Sequence, residues 1–208
     1  DGWDPDSSED CTIFNTTFYT RDDAIAIKSG KNPEGNQINR PTKNVRIFDC
    51  RSSLRGIAIG SELSGGISDI KIWDCDFFNG KTGFGMKTTC KRGGYIKNVS
   101  AKNCGFASVR MYSNYGCNDD GVGDGNLTVV DNIFFENVKV QGAFPFLDKR
   151  EMFFFTIDVY GFDEEDYYFK NVRFKNLLVY ARENKEMQRI RIKNVKNLSF
   201  ENVDYVDQ

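Results

Sequence analysis

The sequence predicts an all-β chain wound into a right-handed parallel β-helix, and three observations carry that prediction. A six-residue pattern (Asn or Asp, apolar, any, apolar, any, Asn or Asp) recurs at 10–15, 44–49, 69–74, 98–103, 132–137, 171–176 and 197–202. A second family of alternating apolar pairs is interleaved with it: Ile25/Ile27, Ile57/Ile59, Phe84/Met86 and Val109/Met111. Tight hairpin signals are missing and the gaps are long, which disfavours an antiparallel sandwich of short strands.

Each repeat reads as one short strand of a coil. The repeat starts lie 34, 25, 29, 34, 39 and 26 residues apart, so a fixed strand alternates with loops of variable length. Apolar residues at period two bury one face, and such a unit completes its core only by stacking on its neighbours. The flanking Asn and Asp suit turns, because their side chains hydrogen-bond locally and tolerate the left-handed backbone region. The second family starts 32, 27 and 25 residues apart and so adds a second parallel sheet along the same solenoid.

Composition narrows the function classes. The 208 residues are 14% aromatic and 39% hydrophobic, with no apolar run long enough to cross a membrane as a helix. A net charge of -2 and a pI near 5.4 argue against general nucleic-acid binding. The chain has no histidine, which removes Ser-His-Asp and Cys-His mechanisms and leaves carboxylates, tyrosines and lysines for acid–base work. Without histidine or a CxxC pair no zinc site is expected, and no cofactor is implied. Residues 121–125 read as a turn-rich surface loop, and the sequons at Asn15, Asn98 and Asn126 as chance in an Asn-rich solenoid.

The six cysteines do not form a disulfide framework. Cys50, Cys75 and Cys104 follow the second turn residue of successive repeats, a slot held by Thr16 before them and by Val138, Leu177 and Val203 after them. They read as stacked, buried, unbonded thiols. Cys90 and Cys117 lie in loops, and their spacing gives little support for a bridge. Phe14, Phe48 and Trp73 share one outward position, expected to stack against a neighbouring loop, and Lys91 and Arg92 read as a solvated pair.

Two acidic signatures stand about one coil apart: Asp1, and the pair Asp22-Asp23 ahead of Ala24-Ile25-Ala26-Ile27-Lys28. Three carboxylates are therefore expected on neighbouring rungs of one surface. Crowded carboxylates repel and titrate apart, leaving one protonated while the others stay ionised. Glycosidic hydrolysis needs that division, with an acid on the leaving oxygen and a base on a water.

Asp1-Gly2-Trp3-Asp4-Pro5-Asp6-Ser7-Ser8 and Asp22-Asp23-Ala24-Ile25-Ala26-Ile27-Lys28-Ser29-Gly30 together resemble the polygalacturonases, family 28 of the glycoside hydrolases. Gly56–Gly66 and Gly83–Thr89 extend the resemblance to about residue 115. It implies a right-handed parallel β-helix that hydrolyses α-1,4-linked galacturonan in pectic polysaccharide with inversion. Asp22 would be the general acid, and Asp1 and Asp23 would position and deprotonate water. An inverting pair is expected roughly 6.5–9.5 Å apart. Lys87 would grip the carboxylate of a uronic acid. Ser61, Glu62, Arg55 and Lys28 join it as substrate-binding candidates, although Lys28 also ends a buried strand. Arg55 is aligned one rung from Asp23.

The insert 30–41 resembles the exo-acting bacterial branch. Gly60-Ser61-Glu62 stands where many endo members have Gly-His-Gly, and Gly85 replaces the arginine of the Arg-Ile-Lys motif, which keeps rhamnogalacturonan or another pectic substrate open. A catalytically inactive carbohydrate-binding or adhesion module, and a lyase on the same fold, are the other open classes. Because the chain opens inside its first motif, the expected organisation is one β-helix domain over 1–208, the C-terminal portion of a larger enzyme that is secreted or periplasmic.

Overall fold

In a computed structural model the chain is described over residues 1–115, 122–123, 125–141, 157–160, 167–181 and 191–207. Its elements in order are β1 (Thr12–Phe18), β2 (Ile25–Ile27), α1 (Glu34–Ile38), β3 (Thr42–Ser52), β4 (Ile57–Ile59), β5 (Ile67–Trp73), β6 (Asp76–Phe77) and β7 (Phe84–Lys87). They continue as β8 (Tyr95–Phe106), β9 (Val109–Tyr112), β10 (Val129–Val140), β11 (Ile157–Tyr160), β12 (Phe169–Ala181), β13 (Arg191–Lys193) and β14 (Val195–Asp207). Among the described residues the strands form two sheets. A long one runs β1-β3-β5-β8-β10-β12-β14 with β6 beside β3 and β8, and a short one runs β2-β4-β7-β9-β11-β13. The registered strand pairs are all parallel. The fold is a right-handed parallel β-helix.

All seven repeats lie in the long sheet. Several of its strands are longer than the six-residue units, reaching 12 residues in β8 and 13 in β12. The bends explain this. Each Asn or Asp that bounds a repeat, from Asp10 and Asn15 to Asn197 and Asn202, has φ between 47° and 58°. The chain turns a corner there in the left-handed region that Asn and Asp tolerate, and parallel pairing continues on the other side. Side-chain amides link these corners between coils: Asn98 donates to Asp69, Asn132 to Asn98, Asn103 to Asp74 and Asn137 to Asn103, at 2.9–3.1 Å.

The core lies between the sheets. Ile25, Ile27, Ile57, Ile59, Phe84, Met86, Val109 and Met111 point inward, no more than 2% exposed, toward Ile47, Ile72, Ala101 and Phe135 of the long sheet. Ala101 pairs in register with Phe135, so a small residue makes room for a large one, and Phe84 meets the Phe135 ring edge-on at 5.1 Å. Burying one such phenylalanine stabilises the fold by about 2–3 kcal/mol. Cys50, Cys75 and Cys104 are free and buried. Thr16 pairs with Cys50 and Val138 with Cys104, as the shared slot requires. Cys117 lies outside the described residues, and with it the Cys90–Cys117 question.

Two surface expectations are corrected. Phe14, Phe48 and Trp73 stack on one another rather than on a loop, with centroids 5.1 and 4.5 Å apart, because exact register puts like rings on successive rungs. Arg92 is not solvated; it is fully buried at 0% exposure.

Candidate active site

The outward face of the short sheet carries the site. Inward Ile25 and Ile27 leave Ala26 and Lys28 facing out; in register, Ala58 and Gly85 continue the first row, and Arg110 follows on β9. Small residues thus clear the surface beside the acidic motifs. A Cβ built on Gly85 meets nothing nearer than 3.9 Å, ordinary van der Waals contact, so the position that lacks the arginine has room for a side chain.

Asp1 reaches this face from the preceding coil. Trp3 bridges Ile25 in parallel, Gly2 N–H donates to the Asp23 carbonyl at 3.0 Å, and Trp3 N–H to that of Ala24 at 3.1 Å. These bonds place Asp1 one rung from Asp23. Asp22 is exposed, whereas Asp23 is buried at 8%. One carboxylate oxygen from each of Asp1, Asp22 and Asp23 lies within 4.8 Å of the others. The structure therefore brings together the three acids that the sequence singled out. The gap is shorter than the inverting separation expected above, because adjacent rungs are only about 4.8 Å apart and Asp22 and Asp23 are chain neighbours.

Two lysines divide the trio unequally. Lys87 Nζ donates to Asp23 Oδ2 at 2.6 Å, and Lys28 Nζ to Asp1 Oδ2 at 3.1 Å and Asp4 Oδ2 at 2.8 Å. Among the described residues no cation pairs with Asp22, whose Oδ1 accepts the Asp23 backbone N–H at 2.8 Å. This cluster is also where described acidic groups converge closely enough for a metal ion, and two ammonium groups already supply positive charge there.

The other candidates surround this centre. Arg55 Nε donates to the Arg21 carbonyl at 3.4 Å and so braces the loop that carries Asp22. Ser61 is buried at 4%, and Glu62 carbonyl accepts Ser29 N–H at 2.9 Å. Arg92, missed in the sequence, holds this loop: Nε donates to the Ser61 carbonyl at 2.6 Å and Nη1 to Asn32 Oδ1 at 2.6 Å. Its own carbonyl accepts Asn36 Nδ2 at 2.9 Å, tying the insert that bears α1 to the same place. One signal in the chain was available. Gly93 and Gly94, both at positive φ, turn the backbone back directly after Arg92. Lys87 also lies 5.6 Å from the Tyr115 ring centroid, and Arg110 stacks 4.9 Å over Tyr112. A separate groove of about 1040 Å³ follows the corners of the long sheet past Asp76, Lys139 and Asp204, and none of the three acids lines it.

The model of glycosyl hydrolases family 28 matches residues 1–140. The chain belongs to that family. A probable polygalacturonase of Vitis vinifera is 35% identical over 127 residues, covering 58% of this chain and 26% of the relative. A polygalacturonase of Ralstonia nicotianae is 29% identical over 104 residues, covering 48% and 18%. This chain thus spans about a quarter or less of these relatives. Among solved structures, an exopolygalacturonase of Thermotoga maritima superposes with a TM-score of 0.72 at 24% identity, covering 97% of this chain and 43% of that one. A family 28 exopolygalacturonase of Yersinia enterocolitica gives 0.70 at 19%, covering 99% and 38%. At these identities the structural likeness speaks for the fold, while the family 28 assignment rests on the matched sequence. No helix among the described residues is long and apolar enough to cross a membrane.

Proposed function

We propose that the protein hydrolyses α-1,4-galacturonosyl linkages of a pectic polysaccharide from a chain end, with the inversion that the family resemblance implies, although the nearest oxygens of the trio stand closer than those of an inverting pair. The observation that carries this reading is the carboxylate trio on adjacent rungs, in which Asp1 and Asp23 each hold an ammonium and Asp22 holds none. Asp22 is the solvent-exposed member of the trio with no cation on it, which leaves it free to meet the leaving oxygen. Asp22 then protonates the leaving oxygen, while Asp1 and Asp23 orient a water and take its proton. An ammonium has three N–H donors; Asp23 takes one from Lys87, and the others suit a uronate carboxylate on the cleared face.

The exo mode is supported by the insert 30–41, which begins just after Lys28 and is anchored through Asn32 and Asn36 to Arg92. Secretion or periplasmic export goes with a polymeric substrate. A second reading, rhamnogalacturonan hydrolysis, is favoured by Gly85, where an open position leaves one carboxylate clamp unfilled.

The deciding experiment is a product profile of the full-length protein on homogalacturonan and rhamnogalacturonan, with proton NMR of the first anomer formed. Saturated monomer of inverted configuration from homogalacturonan is the expected result. Unsaturated products would mean a lyase, retained configuration would reject inversion, and no release from either polymer would leave a binding module.

A further inference from the structure

We propose that Lys28 is a positioning residue for Asp1: its ammonium, anchored by Asp4, keeps Asp1 ionised and held against Asp22 and Asp23. The inference rests on reading the trio as acid–base machinery and assigns Lys28 a task other than substrate binding.

The backbone of Lys28 is fixed from both sides. Its N–H donates to the Pro5 carbonyl at 2.9 Å, its carbonyl accepts Thr42 Oγ1 at 2.5 Å and Ser7 N–H at 3.3 Å, and it bridges Asp6 in parallel. Its side chain rises from the outward face beside the preceding coil, where Asp4 takes the shorter contact, 2.8 Å against 3.1 Å for Asp1. Two of its three donors are thus committed to protein carboxylates. The charged groups around it are Asp1, Asp4, Asp6 and Glu62. Burial pulls the Lys28 pKa down, but the hydrogen bond and charge of Asp4, with the charges of Glu62 and Asp6, outweigh that and leave it raised. The ammonium therefore stays charged throughout the range in which carboxylates titrate.

Around Asp1 stand Lys28, Asp22 and Asp23. Asp23 has its own cation in Lys87, which shares an outward row with Lys28 two coils away. Gly60 stands between them, and a Cβ there would lie 2.3 Å from the Lys87 carbonyl. The two lysines bracket the trio without a side chain between them. Each pairs with one carboxylate, Lys28 with Asp1 and Lys87 with Asp23, and Asp22 has no cation on it.

The test uses the full-length protein with Lys28→Met, Lys28→Gln and Lys28→Arg. Carbon NMR of the aspartate carboxyls, with Asp1 assigned through Asp1→Asn, reads the titration without substrate. The pH profile of kcat on trigalacturonate reads it with substrate. Loss of the charge in Met or Gln is expected to move the Asp1 midpoint and the acidic limb of kcat upward by about one pH unit, with KM within twofold, and Arg to restore both. Gln keeps hydrogen-bonding capacity and serves if Met fails to fold. An unmoved Asp1 midpoint with a tenfold rise in KM would make Lys28 a substrate ligand, and no change in either would make it a bystander. If the unsubstituted protein cleaves no pectic polymer, the functional reading fails while the carboxyl titration still decides this one.

Discussion

The Lys87 ammonium stands 2.6 Å from the Asp23 carboxylate, reaching back two coils from β7 to the acidic pair just ahead of β2. Both groups keep some solvent contact, with side chains 19% and 12% exposed. Removing one partner leaves the other charge half-desolvated. Lys87→Met is expected to cost about 2 kcal/mol, below the range for fully buried pairs, and to cut kcat/KM. Adding Asp23→Asn should return most of the stability and none of the activity. Urea melts of the four proteins in the double-mutant cycle measure the coupling.

Asp22 separates catalysis from folding. Its side chain is exposed and no cation depends on it, so Asp22→Asn should change stability by less than about 0.5 kcal/mol. Loss of the leaving-group proton should lower kcat about a thousandfold. Near-normal turnover in that variant would move the acid elsewhere.

Two glycines on the short sheet should respond in opposite ways. A Cβ on Gly56 would fall 1.7 Å from the Gly83 carbonyl, whereas one on Gly85 makes only ordinary contacts at 3.9 Å. Gly56→Ala should destabilise by about 3 kcal/mol through forced separation of the coils. Gly85→Ala should be neutral or slightly stabilising, since a side chain there limits the unfolded chain more than it disturbs the folded one. Thermal melts of the two variants side by side check the contrast.

The thiol stack sets an alkaline limit. The neighbouring Cys104 thiol, reinforced by burial, pushes the Cys75 thiol from its ordinary 9.0 up to about 12, and Cys50 is raised further by the adjacent Cys75 and by burial, while the thiols themselves donate to the Trp73 and Phe48 carbonyls. Above 9.0 the unfolded chain gives up protons that the folded thiols keep, so stability falls as pH rises and is unaffected below that point. Cys50→Val with Cys75→Val, the residue that already fills this slot at Val138, should flatten the fall. Urea midpoints at about pH 8 and about pH 10 compare the two proteins.

Much of this was legible in the chain because the physics behind it is local. An Asn or Asp at each corner is needed for the left-handed turn, so the coils announce themselves at Asn98 and Asn103 as clearly as at Asn171 and Asn176. The trio was legible because one coil separates Asp1 from Asp22 and Asp23. What was hidden depends on partners brought from afar. Arg92 is buried because Ser61 and Asn32 arrive from 31 and 60 residues away to accept its N–H groups, and the local Gly93-Gly94 turn marks the bend but not those partners. Lys28 reads in the sequence both as the end of a buried strand and as a binding candidate, and its ion pairs stay hidden there because Asp1 and Asp4 lie 27 and 24 residues upstream. The ring stack of Phe14, Phe48 and Trp73 needed exact register, which irregular spacing conceals.

The amide links at the corners have a direction. A corner Asn can donate to the coil before it and accept from the coil after it, whereas an ionised Asp can only accept. An aspartate therefore starts a chain of amides and cannot hand it on. One run passes unbroken from Asp74 through Asn103, Asn137 and Asn176 to Asn202. The other row is cut into pieces that begin at Asp10, Asp69 and Asp131. At the joint between β3 and β5 both rows are interrupted, since Asp69 and Asp74 have nothing to give to Asn44 and Asp49. The solenoid is thus a polar rod with one slack coupling, set among the coils that carry the carboxylates and their lysines. The later coils form a continuously cross-linked shaft. Amide hydrogen exchange should step up at that coupling, and a pull along the axis should part the molecule there first.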